Sequence, residues 1–192
     1  MSPILVKEHP IIFSSEMVKA ILEGRKSQTR RVIKPMMNPI AFAGFKIVGK
    51  DKVLQYTQTP SGIMQHPRGE RKCPYGKVGD RLWVRESWAM GGNGAYYKTD
   101  QDGTVNHAWK SPLFMPRWAS RITLEIADIR VERLQEISEK DAYLEGVNIW
   151  YRGDAEPNTN KEAFEYLWNS LAKKDFKWKD NPWVWVISFW KD

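Results

Sequence analysis

Lys26 and Thr29 stand three residues apart in the run Gly24-Arg25-Lys26-Ser27-Gln28-Thr29-Arg30-Arg31. An amine and a hydroxyl at that spacing, crowded by Arg25, Arg30 and Arg31, can hold an anion, bind a base or attack a carbonyl. A threonine hydroxyl is a weak nucleophile unless a neighbouring base takes its proton. Lysine serves as that base only when burial or nearby cations bring its pKa well below about 10.4. The plain alternative is a solvated cation just past a helix C-terminus, followed by a β-branched residue in a strand.

Either chemistry requires the run to be fixed at both ends. Upstream, Pro10-Ile11-Ile12-Phe13 reads as a first strand. Ser14 or Ser15 then offers an N-cap, and Glu16 falls in the first turn, where a negative charge is favoured. Met17, Ala20 and Ile21 recur at helical spacing, and Gly24 ends the helix as a C′ glycine commonly does. Downstream, residues 29–33 read as a strand stopped by Pro35, so Lys26 and Thr29 sit at a helix-to-strand junction.

The remaining chain alternates short strands with few helices. Phe45-Lys46-Ile47-Val48 and Val53-Leu54-Gln55-Tyr56 read as a hairpin. Arg81-Leu82-Trp83-Val84-Arg85-Glu86 follows the Gly79-Asp80 turn and places Arg81, Trp83 and Arg85 on one polar, aromatic face. Gly91-Gly92-Asn93-Gly94 lacks the strand-turn-helix frame of a phosphate loop and reads as a turn. Tyr96-Tyr97-Lys98 reads as a further strand, and residues 111–116 as an irregular, lid-like connection. The alternation in Arg121-Ile122-Thr123-Leu124-Glu125-Ile126 predicts a strand, continuing through Val131 into Leu134-Gln135-Glu136-Ile137. Ser138 opens a helix that Gly146 closes, and a second helix from Lys161 carries Phe164, Leu167, Trp168 and Leu171 on one face. Trp183-Val184-Trp185-Val186-Ile187-Ser188-Phe189 has the composition of a central strand. The pattern predicts an α+β fold, a small mixed β-barrel with flanking helices.

Composition narrows the chemistry. At 192 residues the best prior is a single domain over residues 1–192. One cysteine, Cys73, excludes an internal disulfide and a Cys-rich zinc site, and fits a reducing cytoplasm. His9, His66 and His107 have no ligand spacing, so no metal and no cofactor are expected. No apolar run approaches the ~20 residues of a membrane span, and the N-terminus lacks a signal peptide's pattern. With 30 Lys and Arg against 23 Asp and Glu, the net charge of +7 suits an anionic partner such as nucleic acid or a nucleotide. Of 10 tryptophans, several lie beside arginine or proline, Trp83 and Trp88 among them, where indoles can stack on bases or guanidinium groups.

Three stretches, in order, carry a resemblance. They are Ile21-Leu22-Glu23-Gly24-Arg25-Lys26-Ser27-Gln28-Thr29-Arg30-Arg31, Val78-Gly79-Asp80-Arg81-Leu82-Trp83-Val84-Arg85, and Ile137-Ser138-Glu139-Lys140-Asp141-Ala142-Tyr143-Leu144-Glu145-Gly146. Together they resemble the ASCH domain of the PUA-like superfamily of nucleic-acid-associated β-barrels. The longer wording from Cys73 to Trp88 is similar to its phage and prophage branch. Residues 36–72, 90–118 and 148–160 are then insertions into the minimal domain. Small bacterial members of the family are amidohydrolases that deacetylate N4-acetylcytidine with a lysine, a threonine and a glutamate. The pattern Gly-x-Lys-x-x-Thr-x-Arg falls here on Gly24, Lys26, Thr29 and Arg31, and the glutamate on Glu145. The Gln28-Thr29-Arg30 setting departs from the family's more apolar Ile-Thr-Ile. The resemblance implies Thr29 as nucleophile, Lys26 as its base, Glu145 as acid/base or orienting group, and Arg31 steadying a carbonyl or phosphate. The alternative is a non-catalytic module for RNA or modified DNA, with Arg25, Arg30, Arg31, Arg81 and Arg85 on phosphates and Trp83 or Trp88 on a base. A ribonuclease is the third reading, for which no histidine pair is evident.

Overall fold

The computed structural model describes residues 6–34, 42–49, 51–57, 70–92, 94–101, 108–147 and 158–191. Strand β1 (Glu8–Ile12) leads into helix α1 (Ser15–Leu22), which returns as β2 (Gln28–Val32). The N-cap is Ser14, whose side chain accepts from the Met17 N–H. The expected hairpin forms as β3 (Phe42–Gly49) and β4 (Lys52–Thr57). A third strand, β5 (Glu70–Lys72), extends it, and no turn or periodicity signal in that short charged segment announces it. Next come β6 (Arg81–Arg85), the hairpin of β7 (Trp88–Gly91) and β8 (Gly94–Tyr97), and the long strand β9 (Thr123–Arg133). β9 stops at Arg133, and Leu134–Glu136 is a 3-10 turn rather than the strand continuation the sequence predicts. Helix α2 (Glu139–Leu144), helix α3 (Asn160–Leu171) and strand β10 (Trp183–Lys191) complete the chain.

The principal sheet has five strands in the order β1-β6-β9-β10-β2, with β1 and β6 parallel and the other pairs antiparallel. β10 lies between β9 and β2 and is buried on both faces, as its run of β-branched and aromatic residues demands. Trp185, Ile187 and Phe189 face one core with Phe13, Ile21, Leu82 and Leu124, whereas Val184 and Val186 face a second core with Phe164, Ala142 and Trp178. This is a mixed α+β fold, and among the described residues its sheet does not close. β1 and β2 are the two edges, and Pro10, without an N–H, suits β1 to an edge. In place of a ladder, the Arg31 side chain reaches across and donates to the Ile12 carbonyl at 2.8 Å. Much of the expected insertion at 36–72, and most of that at 148–160, lies outside the described residues. No helix is long and apolar enough to cross a membrane.

Candidate functional site

The helix exit sets the position of Lys26. The N–H groups of Gly24, Arg25 and Lys26 turn back onto the carbonyls of Ile21 and Ala20, a wrap that Gly24 permits with φ of +74°. The next residue, Ser27, donates to Leu144 O at 3.0 Å and accepts from Phe189 N at 2.9 Å. Lys26 and Glu145 thereby form an isolated antiparallel bridge between the start of β2 and the end of α2. Glu145 is the C-cap of that helix, and Ser138 caps its start through the Asp141 N–H. Main-chain pairing thus brings together two side chains 119 residues apart.

The Lys26 amine donates to Glu145 Oε2 at 2.9 Å, Glu145 O at 2.7 Å and Gln28 O at 2.7 Å, and its side chain has no exposure. Taking an ammonium out of water disfavours the charged form, and this burial holds the Lys26 pKa below the ordinary lysine value. The Glu145 carboxylate works against that lowering, while Arg31 and Arg30 add to it. The other oxygen, Glu145 Oε1, accepts from Arg30 Nη1 at 3.1 Å.

Arg30 extends the pair into a network. Its guanidinium is fully buried and binds Gln28 Oε1 at 2.8 Å, both its Nε and Nη2 contact Glu132, and Asp141 Oδ2 is 3.5 Å away. Arg130 closes the circuit through Glu132 at 3.1 Å and Asp141 at 2.9 Å. Three cations and three carboxylates offset one another, which is the condition under which buried charge is tolerable. Strand register explains the gathering: Arg30, Val186 and Arg130 are lateral neighbours across β2, β10 and β9. Sequence reasoning missed Glu132, Asp141 and Arg130. The Arg130-x-Glu132 alternation was the available signal, but it acquires meaning only once β10 lies between β9 and β2.

Two adjoining hollows meet at Glu145. One of about 220 Å³ runs over Arg30, Arg31 and Val32 beneath Phe164, Leu167 and Trp168 of α3. The other, about 190 Å³, lies toward Ser14, Gly146 and Val147, and the two share Met17, Glu145, Leu167 and Leu171. Drug-sized sites measure roughly 300–1,000 Å³. An apolar trough with a carboxylate and a guanidinium in its floor suits a smaller planar group whose polar edge must be paired.

The other residues singled out by sequence distribute as follows. Thr29 is 1% exposed and its register neighbours are Ile187 and Ile129, so it belongs to the opposite face of β2 from Arg30. Its hydroxyl makes no hydrogen bond to Lys26 or Glu145. Phe13, on the Thr29 side, has its ring centroid 5.5 Å from the Lys26 amine and 5.1 Å from the Arg31 guanidinium. Arg25 pairs with Glu23 and donates to Gly146 O at 3.1 Å, tying α1 to the end of α2. Arg81, Trp83 and Arg85 occupy the outward face of β6 and do not line the hollows at Glu145, with Leu82 and Val84 buried between them. Trp88 is buried, at 4% exposure, and packs edge-on against Trp118. Among the described residues, no group of three or more His, Cys, Asp or Glu side chains is arranged to hold a metal ion. Compared with protein-family models, curated proteins and solved structures, the chain gives no match.

Proposed function

We propose that the chain is an amidohydrolase that removes an acyl group from the exocyclic amine of a modified cytosine nucleoside of the N4-acetylcytidine type. The observation that carries this reading is the solvent-free Lys26–Glu145 pair, 2.9 Å apart, whose glutamate forms the floor of a base-sized trough. The five-stranded sheet, its two edges tied by Arg31, is in this reading the described part of a PUA-like barrel.

Loss of one proton turns Lys26 into the base, a change that its burial favours. The neutral amine takes a proton from water and the hydroxide adds to the amide carbon, since Thr29 lies buried on the face of β2 opposite the trough. The C–N bond breaks as Lys26, now protonated, returns that proton to the departing amine through Glu145. The acyl group leaves directly as the carboxylic acid, and Lys26 is again the neutral base. Arg31, on the rim of the trough, steadies the carbonyl oxygen.

Release of cytidine from N4-acetylcytidine by purified protein is the direct test. Lys26→Met and Glu145→Gln should each reduce turnover about 10²- to 10⁴-fold, the range for loss of an acid or base. A wild-type protein that releases no cytidine ends the proposal. One observation favours a second reading, a binding module without turnover: all three donors of the Lys26 ammonium are already occupied by Glu145 and Gln28, the arrangement of a structural lock. That reading expects saturable nucleoside binding with no product.

A further inference from the structure

The trough over Arg30 has a second polar end that deacylation does not use. Alternation along β2 and the residues just after it sets Arg30, Val32 and Lys34 on one side of the chain, and all three line the trough. Lys34 thus stands about 13 Å beyond Arg30, at roughly 3.3 Å per residue. The facing wall has a similar length. The Arg30 guanidinium lies 5.9 Å from the Phe164 ring, and Phe164 is separated from the end of α3 at Leu171 by about 10 Å of helix. Lys173, which also lines the trough, follows that end directly. Each wall therefore runs from the Glu145 and Arg30 end to a lysine.

These lysines differ from the cations nearer Glu145. Arg30 commits its guanidinium to Glu132, Gln28 and Glu145, and Arg31 donates to the carbonyls of Ile12 and Arg30. Lys34 and Lys173 are exposed, and among the described residues neither side chain forms an ion pair. Glu145, the acidic residue in this lining, is already held by Lys26 and Arg30. Val32 and Lys34 also line a third hollow, of about 520 Å³, toward β5. Its wall adds Arg71 and Lys72, whereas its carboxylate, Glu70, is paired with Lys52 at 3.6 Å. Arg71 gives one donor to the Lys34 carbonyl, which ties β5 to the end of β2.

A base ring fits against Phe164 and Trp168 with its polar edge at Glu145. Its sugar then points along the trough toward two lysines whose charge no described carboxylate offsets, beside a roomier hollow with further cations. A phosphate monoester on the 5′ carbon supplies the missing anion. We propose that Lys34 and Lys173 bind such a phosphate, so that the molecule taken into the trough is a free nucleoside 5′-monophosphate rather than a nucleoside. That its base is an N4-acylated cytosine rests on the amidohydrolase reading. The phosphate site does not.

Product binding tests the phosphate site without turnover. Cytidine and cytidine 5′-monophosphate are each titrated into the protein by calorimetry at low salt. The monophosphate should bind about tenfold or more tightly, the scale of one charge-assisted hydrogen bond, and added salt should narrow the gap. Lys34→Ala with Lys173→Ala should bring the two affinities together, and far-UV circular dichroism should not change because both residues are exposed. With acetylated substrates, kcat/KM should favour N4-acetylcytidine 5′-monophosphate over N4-acetylcytidine by a similar factor, and the double variant should bring that ratio toward one. Equal affinity for cytidine and its 5′-monophosphate, an undiminished gap in the double variant, or an equal gain from the 3′-monophosphate would each overturn the proposal. The last would mark charge attraction without a site. Phosphate-dependent binding with no deacylation of either substrate would remove the amidohydrolase reading and leave this site standing. Deacylation of nucleoside and monophosphate with equal kcat/KM would do the reverse.

Discussion

At Lys26, the three hydrogen bonds that satisfy the ammonium are also those that a proton-accepting amine must partly give up. Burial tips the balance toward the neutral form, and the neighbouring carboxylate pulls the other way. If Lys26 is the base, kcat/KM should rise with pH while the amine loses its proton, then level off below the ordinary lysine range near 10.4. A pH-rate profile on N4-acetylcytidine reads this, and a profile flat from pH 6 to 10 would remove Lys26 from the base role. The stability sign follows from the same lowering. Between the folded and unfolded pKa values the unfolded chain holds more protons, so stability rises with pH across that window. The pair itself makes a separate prediction. Lys26→Met leaves a buried carboxylate with Arg30 alone and should cost about 3–5 kcal/mol, whereas adding Glu145→Leu should restore most of the loss. Urea unfolding of wild type, single and double variants measures it, and a double variant no more stable than Lys26→Met would refute a simple pair.

At the level of elements, the site is an agreement between the end of α1 and the end of α2. Gly146 is where they touch. Its φ is +85°, and a Cβ there would sit 2.9 Å from both Ala20 Cβ and Lys26 Cβ. Gly24 has a similar φ of +74° with nothing within 4 Å of the added carbon. Gly24→Ala should therefore cost about 1–2 kcal/mol, the backbone term alone. Gly146→Ala should cost clearly more and disturb the bridge that aligns Lys26 with Glu145. Urea midpoints compare the two, and equal losses would deny the crowding at Gly146. Local signals made much of this legible in the sequence: the Ser14 and Ser138 caps, the Gly24 and Gly146 stops, the apolar stripe of α3 and the doubly buried β10 all stand where periodicity and capping rules place them. The charge network was not legible, because Arg30 and Glu132 meet through the lateral order of β2, β10 and β9 and Asp141 joins them from α2, which no local pattern encodes. That adjacent Thr29 and Arg30 face opposite ways follows from strand alternation, but which core each one meets appeared only with the register.

Across the whole molecule, Cys73 marks where the smaller sheet joins the main one. It is 6% exposed, belongs to the core that includes Val53 of β4 and Leu82 of β6, and its N–H donates to Asp51 O at 2.8 Å. Burial pushes its thiol from 9.0 up to about 11, since a thiolate there would lose its hydration. The folded protein therefore keeps the thiol proton that the unfolded chain releases near pH 9, and stability present below that pH is lost as pH rises toward 11. The loss should total roughly 2–3 kcal/mol. Lys26 acts with the opposite sign in the alkaline range, so the net slope of wild type alone is ambiguous. Cys73→Ala isolates the thiol: cavity formation lowers its stability by a constant amount, while the fall between pH 9 and 11 becomes shallower than in wild type. Chemical unfolding at pH 7, 9 and 11 gives both curves, and parallel curves would refute the assignment. The same burial limits reactivity, because the thiolate is the attacking species. A thiol reagent at pH 8 should label the native chain far more slowly than the urea-unfolded chain, at a rate set by how often β4 and β5 part from β6. Val53→Ala, which thins the packing beside Cys73, should speed native labelling more than it speeds labelling of the unfolded chain. Equal acceleration in both states would mean that the thiol is reached without any separation of the two sheets.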